Sequence, residues 1–122
     1  MLKDHFYKIL EKTSLNESSF KVKILLNKES DIFKGHFPEL PVVPGVCMMA
    51  IVKEQLQDHL NRTLVLINSA NMKFLSLINP LVNDEVEVAV KYSDSDEGTL
   101  VADGVISAGE LIFFKITKAV YR

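Results

Sequence analysis

Between Gly35 and Gly45 the chain carries Pro38, Pro41 and Pro44, three of its four prolines within eleven residues. Proline fixes φ and pushes the residue before it out of the helical region. Residues 35–44 are therefore expected to be extended and stiff. The segment that follows is opposite in character. Val46 to Leu60 reads as a helix, with Val46, Cys47, Met48, Met49, Ala50, Ile51, Val52, Leu56 and Leu60 as its apolar residues. Its first two turns are apolar on every side, which predicts a helix buried all round. A polar face is expected only in its second half, at Lys53, Glu54, Gln57 and Asp58, with Arg62 just beyond.

The flanking segments supply what could bury such a helix. Residues 2–12 read as a short amphipathic helix, with Leu2, Phe6, Ile9 and Leu10 on one side. Residues 14–19 are polar and loop-like. Phe20, Val22 and Ile24 alternate with Lys21 and Lys23, the pattern of a half-buried strand, and Ile32-Phe33 suggests a short extended piece. After the helix come apolar runs at Leu64–Ile67 and Ala70–Phe74. Alternation follows at Val86, Val88, Val90 and Tyr92, then two more strands over Thr99–Ser107 and Leu111–Tyr121. Consecutive strands with short turns form an antiparallel meander. The expected fold is thus one α+β domain over residues 1–122, its sheet curled round one long helix and preceded by a short N-terminal helix. Exposed sheet edges in so small a domain predict pairing with another chain.

Charge narrows the partners. Fourteen basic and sixteen acidic residues give a net charge of −2, which offers no electrostatic footprint for nucleic acid. No run of eighteen uncharged apolar residues is present, so no membrane span is expected. The first residues lack the pattern of a secretory signal, which makes the cytoplasm the default location. One cysteine and three scattered histidines suggest no metal site, and no motif asks for a cofactor.

Chemistry concentrates at Gly35-His36-Phe37-Pro38-Glu39-Leu40-Pro41-Val42-Val43-Pro44-Gly45-Val46. His36 stands in the stiff segment, and an imidazole suits a general base at neutral pH. Gly45 opens the helix, where a backbone N–H without an intrahelical partner can hold a carbonyl oxygen that is gaining negative charge. A base nine residues before an oxyanion donor suits removal of a proton beside a carbonyl.

This stretch resembles the signature of the 3-hydroxyacyl-(acyl carrier protein) dehydratases of the hotdog fold. Asn71-Met72-Lys73-Phe74-Leu75, Asn79-Pro80 and Asp84-Glu85-Val86 resemble that family's return strand and turn. The resemblance implies a homodimer, or an oligomer of dimers, with sites at the subunit interface and acyl carrier protein or coenzyme A thioesters as substrates. It implies that His36 takes the C2 proton of a thioester-linked 3-hydroxyacyl chain and that the Gly45 N–H holds the thioester carbonyl. Phe37, Pro44, Val46 and Met49 would line the substrate. The family's helix carboxylate, expected five residues after that glycine, is replaced here by Ala50. Glu54, one turn further along the helix, is the candidate stand-in acid, and Glu39 a lesser one.

Other residues take blander readings. Cys47 has apolar neighbours, which raise a thiol's pKa, so it reads as a small hydrophobe. Met48 and Met49 suit either core or acyl contact. His5 and His59 are expected on solvated surfaces, and Asp94, Asp96 and Glu97 in a solvated turn. Three functions follow: a 3-hydroxyacyl-thioester dehydratase, weakened or altered by Ala50; a non-catalytic acyl-thioester binding or partner subunit; or a hotdog thioesterase.

Overall fold

The computed structural model describes residues 2–35, 41–95 and 97–122. Chain order is β1 (Tyr7–Asn16), β2 (Ser19–Leu26), α1 (Asp31–Gly35), α2 (Gly45–Leu60), β3 (Leu66–Asn68), β4 (Asn71–Phe74), β5 (Glu85–Asp94), β6 (Leu100–Ala108) and β7 (Leu111–Tyr121). The strands form one antiparallel sheet in the order β1-β2-β5-β6-β7-β3, with β4 also paired to β7. The meander holds for β5–β7. The helix carries the chain from the β2 side to the β7 side, so β3 and β4 join the far end.

Alternation sets which face of the sheet meets the helix. Phe20 lies opposite Val90, Val22 opposite Val88 and Ile24 opposite Val86, and all six are buried. The same rows continue through Ile106 to Phe114 and through Gly104 to Ile116. Against them α2 packs Cys47, Met48, Ile51, Val52 and Leu56.

Gly104 marks the closest approach. A Cβ there would stand 2.8 Å from Cγ1 of Val52 and 3.2 Å from Cγ2 of Ile116, both buried β-branched side chains. Neither side chain has a flexible far end to move. Gly104→Ala is expected to lower the unfolding free energy by about 1–3 kcal/mol, the usual cost of overfilling a packed core. Urea denaturation reads it directly, and an unchanged midpoint would contradict the close packing.

Four sequence expectations are corrected. Residues 2–12 do not form a helix: 2–6 make a turn and Tyr7 begins β1. Leu2, Phe6, Ile9 and Leu10 have helical spacing, but the segment's backbone pairs with β2 from Tyr7 opposite Leu26 to Asn16 opposite Ser19, and that ladder decides its conformation. Phe6 and Tyr7 are buried and Leu2 packs against the core, while Ile9, Leu10 and Leu15 are exposed. The polar stretch 14–19 is mostly the β1–β2 hairpin, and Ile32-Phe33 is helical, with Phe33 against Phe6 at 5.1 Å between ring centroids. Finally, α2 is not buried all round. Val46 is 73% exposed, Met49 and Ala50 are half-buried, and the polar residues Glu54 and Gln55 are buried instead.

β1 ends the sheet on one side. Beyond Tyr7 all its residues are exposed, and its pairing is interrupted between Ile9 and Glu11 and again between Ser14 and Asn16.

Candidate active site

The start of α2 is built by its approach. Val43 donates its N–H to the Ile78 carbonyl at 2.9 Å, and Pro44 caps the helix in extended conformation (φ −61°, ψ 146°). The Pro44 carbonyl accepts the N–H groups of Cys47 (3.0 Å) and Met48 (3.3 Å). No side chain caps the helix. The N–H groups of Gly45 and Val46 therefore make no hydrogen bond among the described residues. Such donors, at the positive end of the helix dipole, favour an oxygen that carries negative charge.

Gly45 is required there for space. A Cβ on it would lie 2.8 Å from Cε1 of Phe74, whose ring is half exposed and backed by Phe114 at 5.0 Å. β4 brings Phe74 opposite Phe114 on β7 and so delivers the ring to the helix start. Together Val43, Gly45, Met48, Phe74, Leu75, Ser76 and Leu77 line an open groove of about 470 Å³. It is mainly apolar and wide enough for a short acyl chain, and Gly45 stands on its wall.

A second opening lies on another face of the helix. Val46, Met49, Ala50 and Lys53 stand at the i, i+3, i+4, i+7 spacing of one stripe. With Leu66 of β3 and Tyr121 of β7 they line a cavity of about 200 Å³. Met49 and Val46 thus belong to this second opening, whereas Met48 belongs to the groove at Gly45. His36, Phe37 and Glu39 lie outside the described residues.

Glu54 has partners of another kind. Its carboxylate is 4% exposed. It accepts the Leu2 N–H at 2.9 and 3.1 Å, the Lys3 N–H at 3.0 Å and the Tyr7 hydroxyl at 3.0 Å. Gln55 donates to the same hydroxyl at 2.8 Å. The first residues of the chain are thereby strapped to α2, and Lys3 adds an ion pair to Asp58 at 2.9 Å. Burial and the neighbouring Glu54 charge push the Tyr7 phenol well above its ordinary range. Burial, helped by the same negative charge, also pushes the Cys47 thiol up, as a small hydrophobe requires and a nucleophile does not.

His59 is less solvated than its sequence suggests. It stacks on Phe20 at 4.2 Å and meets the edge of Tyr92 at 5.6 Å. Burial, and then the Lys12 charge, lower its pKa. His5 is exposed, as expected. Among the described residues no cluster of three or more metal-ligating side chains occurs, and no helix is long and apolar enough to cross a membrane.

The contributions of Phe74 and Tyr121 were not visible as site residues in the sequence. Phe74 falls within the Asn71–Leu75 run that carries part of the resemblance, so a signal existed. Tyr121 sits in an alternating strand with nothing to distinguish it.

A sheet wrapped round one helix, with a proline-led helix start opening on an apolar groove, defines a hotdog-type domain with the frame of a dehydratase. The family model for the ApeI-like proteins, described as ApeI dehydratase, matches residues 11–106, and the chain belongs to that family. Among solved structures it is similar to a chain of the dehydratase heterocomplex ApeI:P from Xenorhabdus doucetiae. The TM-score is 0.66 and the identity 18%, over 93% of this chain and 96% of that one. An uncharacterized protein from Erwinia carotovora subsp. atroseptica is similar at TM-score 0.61 and 20% identity, over 89% and 92% of the two chains. At such identities the likeness concerns the fold. No curated protein matches the chain.

Proposed function

We propose that this chain is a dehydratase subunit acting on 3-hydroxyacyl thioesters of acyl carrier protein or coenzyme A, with each site shared between two copies. The observation that carries the reading is the start of α2 on the wall of the apolar groove, where Gly45, at the end of the His36–Gly45 motif, has an N–H with no hydrogen bond among the described residues. In this reading the thioester carbonyl rests on that N–H, and Phe74, Met48, Leu75 and Leu77 hold the acyl chain. His36 removes the C2 proton. The stripe Val46–Met49–Ala50, together with exposed Val65 and Ile67 beside the β3 edge, gives the second copy an apolar face to cover. Membership of a dehydratase family favours elimination of water over hydrolysis of the thioester.

Glu54 serves in this reading as a structural anchor, because its oxygens are already engaged. Ala50 favours a second reading, in which the chain is a non-catalytic partner of an active paralogue. That the related Xenorhabdus chain is part of a dehydratase heterocomplex supports it. The test is to incubate the purified protein with a 3-hydroxyacyl thioester, and with the corresponding enoyl thioester, and to follow enoyl absorbance. Turnover in both directions by a sedimenting dimer is expected. Thioester binding without turnover selects the partner-subunit reading, and a stable monomer overturns the shared site.

A further inference from the structure

One ring crosses from the sheet to the helix at the groove beside Gly45. Phe74 is the last residue of β4 and lies opposite Phe114 of β7. Phe114 is fully buried and braces the Phe74 ring at 5.0 Å between centroids, with the planes tilted by 37°. The outer end of the ring reaches the helix. A Cβ on Gly45 would stand 2.8 Å from Cε1 and 3.0 Å from Cζ of Phe74. The ring thus fills the gap between β4 and the backbone of the first residue of α2. Among the described residues it is the one aromatic side chain lining the groove. Phe74 is still 52% exposed, so it offers an apolar face to whatever lies there.

The geometry points to Phe74 as the residue that sets how long an acyl chain the groove accepts, holding it to short chains; this rests on the dehydratase reading above, in which the groove holds the acyl chain. The ring acts as a fixed wall. Phe114 blocks it on the buried side, and the Gly45 backbone stands at its tip. At about 470 Å³ the groove lies in the lower half of the range of ligand sites, about 300–1,000 Å³. A chain that grows along the groove toward the gap between β4 and α2 meets the ring and stops. Gly45 is the other half of the device. A side chain there would push the ring away from the helix, and with Phe114 behind it the ring can yield only into the groove.

The test is calorimetric titration of the whole protein with butyryl-, hexanoyl-, octanoyl- and decanoyl-coenzyme A. Each methylene that enters the groove is expected to raise affinity about fourfold. In the wild type that rise should end at a short chain. In Phe74→Ala it should continue for about two or more further carbons, since the ring leaves room for further methylenes to be buried. Gly45→Ala should weaken binding at every length, and adding Phe74→Ala to it should restore binding, because the two residues compete for one space. A purely structural ring would lower the thermal midpoint and every affinity alike, without moving the break. Should Phe74→Ala fail to fold, Phe74→Leu, which keeps an apolar side chain but shortens the wall, should still move the break to longer chains. A Phe74 variant that folds and keeps the wild-type length profile overturns this role and leaves the dehydratase reading standing. A wild-type protein whose affinity climbs evenly to the longest chain does the same. A wild-type protein that binds none of the thioesters removes both together.

Discussion

Replacing Glu54 with alanine is expected to destabilise the domain by about 3–5 kcal/mol. Hydrogen bonds to a charged group are worth about 1.5–3 kcal/mol each, and a buried donor left without a partner adds its desolvation cost. Two backbone N–H groups, from Leu2 and Lys3, lose their acceptor in this variant, and the Tyr7 hydroxyl keeps only its bond from Gln55. The loss should propagate, because the strap holds Phe6 in the core and positions the start of β1. Asp58→Ala provides the contrast. It removes the Lys3 ion pair, whose side chains are each 32% exposed, and surface pairs are worth about 0–1 kcal/mol. Urea midpoints for the two variants should differ accordingly. The same pair of measurements separates an anchor from a catalyst. Glu54→Gln should lower stability and leave turnover intact in the molecules that remain folded. Full stability with abolished turnover would make Glu54 the acid after all.

Replacing His36 with alanine is expected to reduce dehydration about 10²–10⁴-fold, the usual contribution of a positioned general base. In the proposed site no other group is placed to take the C2 proton, so the loss should appear in kcat rather than in KM. The thermal midpoint should stay near that of the wild type, and thioester binding should persist through the Gly45 N–H and the apolar groove. Stopped-flow or steady-state absorbance of the enoyl product gives the rate, and circular dichroism checks the fold. A His36→Ala protein that retains its rate would exclude the motif histidine as the base.

The sequence announced the helix almost to the residue, because Pro44 fixes an extended entry to it and Leu60 ends its apolar pattern. The strands around Phe20, Val86, Val105 and Phe114 were equally legible, since alternation is a local property. What could not be read was pairing. Ile9 and Leu10 fit a helical stripe as well as a strand, and only the β2 ladder chooses between them. Glu54 was visible as a carboxylate on the helix, but its partners are backbone N–H groups from the other end of the domain, which no residue type betrays. The apolar first turns of α2 suggest all-round burial. The stripe through Val46 and Ala50 is instead left open, as a subunit face would be. Tyr121 reaches that stripe through the sheet's closure onto β3, a contact no local pattern encodes.

The two ends of the sheet have unequal consequences for growth by strand addition. β1 is long, charged along its length by Lys8, Glu11 and Lys12, and broken by two irregularities in its pairing. Such a strand resists being extended by another chain. β3 is short, includes exposed Ile67 and follows exposed Val65 on the opposite edge. A ribbon that accepts a neighbour at only one end stops at two members, because the pair presents only its guarded ends outward. Filament formation by edge stacking is thereby closed off by stoichiometry rather than by solubility, and it should stay closed at concentrations where two-edged sheets of similar hydrophobicity gel.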